Sequence, residues 1–337
     1  MNLRFNIIYT PGTVKYLRLL LFSLLKWSDC SFRLMPNGCS QEEVGLLRRL
    51  CAGNSRLHLM VPPWKEMVPH HQALNYLQAA EDSDYFSLID SDVLATGDFS
   101  RELGSYLGHY AGLFSGSDIW CKRRDQILPE GLTMVPSRYL MTDTGICLGS
   151  THFAVYDNRL LSRFVQGTGV DFRAFRWVDL EPRWQSRISE MGLRRMSYDT
   201  GKVLNLLLQA MGERLCLVES ASLRHIGGFS VLAAYRQGLL PHSRLLARMK
   251  RRLRDAAAWA VWMTKRKDRH STVGADEVLV RSNAACSTYF TNLLRSLFEG
   301  REWPKPPRMH DPEIQVSIEM TAREIVDLYR EVRDELG

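Results

Sequence analysis

The first ninety residues switch repeatedly between two hydrophobic periods, and that switching leaves the chain few folds to choose from. Short apolar runs at Arg4–Tyr9, Ser31–Met35, Leu57–Val61 and Tyr85–Ile89 have the length of strands. Between them, Thr13–Ser28, Gln41–Cys51 and His70–Glu81 carry apolar residues at helical spacing. Pro11-Gly12, Pro36-Asn37-Gly38 and Pro62-Pro63 punctuate the boundaries. Ser40 followed by Glu43 spells a capping box ahead of the second helix. Four strands alternating with three helices predict a parallel sheet with right-handed crossovers and helices on both faces.

In such a sheet, ligands sit beyond the carboxyl ends of the strands. Three segments are expected on that edge: Tyr9–Gly12, Pro36–Gly38 and Asp90-Ser91-Asp92. The third carries two carboxylates one residue apart, at the rim, where neither has to be buried unpaired. Magnesium and manganese take hard oxygen ligands, and magnesium is usually held by one or two carboxylates together with substrate phosphates. An isolated Asp-x-Asp also serves as an ordinary turn. What sets this one apart is its rim position and a glycine-flanked histidine, His225, far downstream in LRHIGGFS.

Later segments are less regular. Gly145–Val155 reads as a strand and Asn158–Phe164 as a helix. Val178–Met191 is amphipathic and ends at Gly192. Tyr198-Asp199-Thr200-Gly201 opens a helix over Lys202–Met211, and Leu215–Val218 reads as a strand ahead of the glycine-rich loop Leu223–Ser230. Beyond residue 238 the alternation fades into helices at Leu245–Met263, Ser287–Phe298 and Ile314–Leu336.

Five blocks resemble, in order, the nucleotide-sugar glycosyltransferases of the GT-A fold, particularly the family 2-like ones. They are NIIYTPG, FRLMPNGCSQEE, HHQALNYLQAAEDSDYFSLIDSDV, CLGSTHFAVYDNRLL and DTGKVLNLLLQAMGERLCLVESASLRHIGG. The resemblance implies a GT-A, Rossmann-like α/β fold over residues 1–238, with a donor half through 100, an acceptor-facing half over 101–238 and a basic helical extension over 239–337. It implies transfer of a sugar, with inversion, from a nucleoside-diphosphate donor, UDP-sugar favoured, to a hydroxyl of a glycan or lipid-linked saccharide, as in polysaccharide biosynthesis. Asp92 and His225 would ligate Mn2+ or Mg2+. Asp90 would share the metal or contact the ribose, and Gly227-Gly228 would let backbone approach phosphate. Tyr9, Thr10, Gly12, Asn37 and Asn75 would line the nucleotide. The base that takes the acceptor proton would be Asp199, with Asp179 and Glu181 as the other candidates. The Glu-Asp pair common in the family is missing at both places.

Composition narrows the surroundings. Hydrophobic residues make up 45% and charged residues 24% of 337, enough for a sizeable core. Seven scattered cysteines without a C-x-x-C pair signal neither a zinc site nor a disulfide framework. With no secretory signal at the start, the expected location is cytoplasmic, peripheral to the inner face of the membrane. The net charge of +7 is concentrated between His242 and His270, which holds ten Lys/Arg against two acids. There the stretch 249–267 flanks Trp259 and Trp262 with basic clusters, a pattern suited to anionic lipid or an acidic acceptor. No nucleic-acid-reading motif accompanies it. Two rival readings are a catalytically inactive GT-A-like scaffold and, more distantly, a haloacid-dehalogenase-like phosphohydrolase, whose nucleophile motif ordinarily follows the first strand of its domain and not the fourth.

Overall fold

A computed structural model describes residues 3–229 and 272–336. The first strands, β1 (Arg4–Tyr9), β2 (Ser31–Pro36), β3 (Leu57–Leu59) and β4 (Tyr85–Ile89), alternate with α1 (Val14–Lys26), α2 (Gln41–Gly53) and α3 (His70–Ala79). β1 pairs with β2 in parallel along its whole length, and β1–β4 and β2–β3 are parallel as well. Ser40 and Glu43 form both halves of the capping box on α2. Glu43 does more, accepting also from the Gly12 N–H at 2.7 Å, so the cap ties the loop after β1 to the helix after β2.

Short pieces follow: β5 (Val93–Ala95), α4 (Phe99–Gly104), β6 (Gly112–Phe114), β7 (Ser117–Asp118), β8 (Met134–Val135), β9 (Leu140–Met141) and β10 (Cys147–Leu148). Next come β11 (Phe153–Asp157), α5 (Asn158–Thr168), β12 (Phe175–Arg176), α6 (Pro182–Glu190) and β13 (Ser197–Tyr198). The order closes with α7 (Lys202–Ala210), β14 (Leu215–Leu217), β15 (Leu223–His225), α8 (Thr272–Glu299) and α9 (Pro312–Val332). Seven strands form the central sheet in the order β14-β6-β11-β4-β1-β2-β3, and β11 alone runs against its neighbours. The class is therefore α/β with a mostly parallel sheet, as the alternation predicts.

The sheet divides the core by strand periodicity. Phe153 and Val155 of β11 enter one cluster with α1, α8 and α9, while Ala154 and Tyr156 enter the other with α3, α5 and α7. Cys286, Leu293 and Ile325 of the last two helices share a cluster with Phe5 and Ile7 of β1.

Several boundaries differ from expectation. The run 145–155 is two strands with a turn between them, and Gly149, after the first, packs against the Phe114 ring, which an added Cβ would meet at 2.2 Å. The amphipathic stretch 178–191 opens as a 3₁₀ turn over Trp177–Asp179, and the helix proper starts at Pro182 in its first turn. The expected loop 223–230 begins as strand β15, paired antiparallel with β5 and parallel with β7. The basic stretch 249–267 and the helix expected at 245–263 lie outside the described residues. Among the described residues no helix is long and apolar enough to cross a membrane.

Candidate functional site

The apolar run of β4 ends at Ile89, and the chain turns at once into β5, so Asp90 and Asp92 stand on a two-strand corner. Backbone bonds hold that corner on both sides. The Asp90 N–H donates to the His152 carbonyl at 2.8 Å, extending the β4–β11 ladder, and the Ile226 N–H donates to the Asp92 carbonyl at 3.1 Å. β15 lies between β5 and β7, with His225 paired to Val93 on one side and Asp118 on the other. Residues 90, 92, 118, 152 and 225 are thereby collected from four distant stretches.

The side chains converge on one imidazole. His225 Nε2 lies 3.3 Å from Asp92 Oδ1 and 3.9 Å from Asp90 Oδ2, and its Nδ1 lies 2.6 Å from Asp118 Oδ1. The His152 ring stacks on His225 with centroids 4.4 Å apart and planes 8° from parallel, and Trp120 lies 5.7 Å away. The side chains of Asp92 and Asp118 are each 7% exposed, whereas that of Asp90 keeps 35% of its surface open.

The electrostatics follow from this crowding. Burial opposes charge on His225, but Asp92 and Asp118 outweigh it and hold the imidazole well above its ordinary range. Burial would raise Asp92, and the His225 charge and hydrogen bond bring it below the usual carboxylate range instead. Desolvation on its inner side and the Asp92 charge hold Asp90 above the usual carboxylate range, against the pull of His225. His152 is lowered to about 4 by burial and the neighbouring His225, so its ring is neutral.

One ligand atom from each of Asp90, Asp92 and His225 lies within a 4.8 Å span. Two carboxylates and an imidazole suit a borderline divalent ion such as manganese, and the open side of Asp90 leaves room for further oxygen ligands. The donor set fits the expected metal. A second set within the same span, Asp118, His152 and His225, has no signature in the sequence. Neither Asp118, in SGSDIW, nor His152, in GSTHFAV, belongs to a spaced motif. Only long-range strand pairing brings them in.

Gly227 and Gly228 have φ of +62° and +73°, and added Cβ atoms would meet Trp120 at 2.4 Å and Ser287 at 2.4 Å. The room these glycines leave is taken by the ring flanking His225 and by α8, not by open space for a phosphate.

The remaining expected residues are spread over several settings. Asp199 precedes α7, but the cap of that helix is Gly201 with φ +76°. The Asp199 carboxylate accepts instead from the Thr200 N–H at 2.8 Å. Its charge reaches His70, which also feels Asp92, and it reaches Lys202. Asp179 and Glu181 are exposed and held by Arg176 at 2.6 Å and Arg183 at 2.8 Å. Tyr9 is 0% exposed within the core, so its ring has no face to offer a base. Asn37 is also buried: it donates to the Val68 carbonyl and accepts from Trp64 and the Val68 N–H. Asn75 accepts from the Phe172 N–H at 3.2 Å, and the Gly12 N–H is taken by Glu43. For Asn37, Asn75 and Gly12 the visible role is to knit loops together. Thr10 Oγ1 is buried and carries no hydrogen bond among the described residues.

No family model matches the chain, and no curated protein matches it. Among solved structures it is similar to a galactosyltransferase, LgtC, in complex with donor and acceptor sugar analogs. The identity there is 11%, covering 64% of this chain and 73% of that one at a TM-score of 0.38. It is similar also to S. aureus TarS, at 10% identity over 62% of this chain and 39% of that chain, TM-score 0.38. A third is the mannosyltransferase PcManGT from Pyrobaculum calidifontis, in complex with GDP-Man and Mn2+. It is 13% identical, over 97% of this chain and 88% of that one, again at a TM-score of 0.38. At such scores the functional reading rests on the site.

Proposed function

We propose that this chain is a divalent-metal-dependent glycosyltransferase that moves a sugar from a nucleoside-diphosphate donor, UDP-sugar favoured, to a hydroxyl of a glycan or lipid-linked acceptor. The observation that carries the reading is the meeting of Asp90, Asp92 and His225 at the carboxyl-end rim of a mostly parallel sheet. Asp92 and His225 would hold Mn2+ or Mg2+ from the walled side, and Asp90 from the open side. The ion, when bound, supplies positive charge against the departing nucleoside diphosphate.

The acceptor oxygen attacks the anomeric carbon as the bond to the diphosphate oxygen breaks, and the acceptor proton passes to a carboxylate. Asp199 is the favoured base: it lies just ahead of α7, whose following strands lead to His225, whereas Asp179 and Glu181 are engaged by arginines. A single displacement of this kind inverts the anomeric centre.

Calorimetric titration with UDP, GDP and their sugar conjugates, in manganese and then in chelator, tests the reading. Manganese-dependent binding of one nucleotide is the expected result. If no nucleotide binds to folded protein, Asp90 and Asp92 are an ordinary corner and the reading is wrong.

A further inference from the structure

We propose that Asp118 is a positioning residue: it fixes the ring and the tautomer of His225 so that Nε2 faces the Asp90–Asp92 corner ready for a divalent cation. The inference rests on the reading of that corner as a metal site.

The geometry leaves His225 few choices. A carboxylate can only accept, so the proton of the 2.6 Å contact sits on His225 Nδ1, and Nε2, which faces Asp92 at 3.3 Å, is the nitrogen a cation would take by displacing its proton. β15 pairs His225 directly with Asp118 of β7, so the contact is built into the register of the small sheet and does not depend on a mobile side chain. The flat faces of the ring are also constrained. His152 stacks on it at 4.4 Å, and Trp120 lies 5.7 Å away, with Gly227 leaving the room Trp120 needs.

The set Asp118, His152 and His225 is a support and not a second cation site. His152 Nε2 points at the Gly116 carbonyl, 3.4 Å away, which can only accept. Its Nδ1 must then accept from Ser150 Oγ at 2.6 Å. Both ring nitrogens of His152 are thus engaged, and His225 Nδ1 is engaged by Asp118. A ligating histidine whose other nitrogen donates to a carboxylate is held in orientation and made more basic, and loss of such a partner typically weakens metal binding about 10–100-fold.

The test compares wild type, Asp118→Ala and Asp118→Asn, each first shown to be folded by circular dichroism. Manganese is titrated into each and the free ion read by electron paramagnetic resonance. In parallel, the His225 Nδ1–H proton is followed by NMR in 15N-histidine-labelled protein, with magnesium as the diamagnetic ion and His225→Gln as the assignment control. Asp118→Ala should bind manganese about 10–100-fold more weakly and lose the Nδ1–H resonance. Asp118→Asn, which can keep an accepting oxygen but loses the charge, should fall between, and it carries the test alone if the alanine variant does not fold. Wild-type affinity in a folded Asp118 variant, with the Nδ1–H signal unchanged, would overturn the positioning role and leave the metal site standing. Failure of wild type itself to bind manganese would instead remove the metal reading, and the proposal with it.

Discussion

Asp92 has the least freedom of the expected ligands: its side chain is 7% exposed, its carbonyl receives the Ile226 N–H, and its carboxylate faces His225. Substituting Asp92→Asn keeps the shape and removes the charge. It should lower manganese affinity by at least about a hundredfold, on the scale of losing a buried charge-assisted contact, with little change in the circular dichroism spectrum. Retained affinity would mean that Asp90 and His225 suffice. Lys202 allows a different test. It is wholly buried, with Nζ 2.6–2.8 Å from the carbonyls of Arg138, Leu148 and Gly149, three contacts that the ammonium fills and the neutral amine, with two N–H, cannot; against them burial lowers its pKa from 10.5 to about 7. Between those values the unfolded chain holds a proton that the folded chain has released, so this residue makes stability rise with pH by up to about 1.4 kcal/mol per unit. Below about 7 both states are charged, and the contribution is flat. Denaturant unfolding of wild type and Lys202→Met across pH 7 to 10 should therefore show a steeper rise in wild type, and parallel curves would contradict a buried, neutral lysine.

Among the elements, α2 shows best how a local signal acquires a tertiary role. Ser40 closes one half of its capping box, and its loss to alanine should cost about 1 kcal/mol. Glu43 closes the other half and in addition accepts from the Gly12 N–H beside β1. Glu43→Ala should consequently be the more destabilising of the two, by roughly 2 kcal/mol in all when a charged hydrogen bond is added to the cap, as read by urea midpoints. Equal losses would show the Gly12 bond to be unimportant. The strands β5, β7 and β15 behave in the opposite way. Each has two or three residues, none has a periodic signature, and they exist by pairing: β15 lies between β5 and β7 and is bonded to both. The segment that carries His225 therefore has the local pattern of a loop, dominated by its glycines. In the structure it is a strand, and that is what aligns His225 with Asp118.

For the whole molecule, the C-terminal helices are part of the core. Ile318 and Ile325 of α9 are 0% exposed and belong to the same cluster as Phe5, Ile7 and Leu20. Ile318→Ala should cost about 2–5 kcal/mol, and removal of residues 312–337 should abolish cooperative unfolding of the remaining residues 1–311. A sharp, native-like transition in the truncated chain would refute this.

The strands β1 and β4, the helices around them and the placement of Asp90 and Asp92 at a strand end were all determined by the sequence itself. Periodicity, caps and turn residues act within about ten positions and need no partner. What only the tertiary structure decided was the company those carboxylates keep. Asp118 and His152 reach the site through pairings that span up to about a hundred residues, and no local pattern encodes such a pairing. The same holds for Tyr9, Asn37 and Asn75. Their positions near the rim were legible, but whether a side chain turns to solvent, into the core or toward a neighbouring loop depends on packing from both faces of the sheet. Packing of that kind is a property of the assembled fold and not of any one segment.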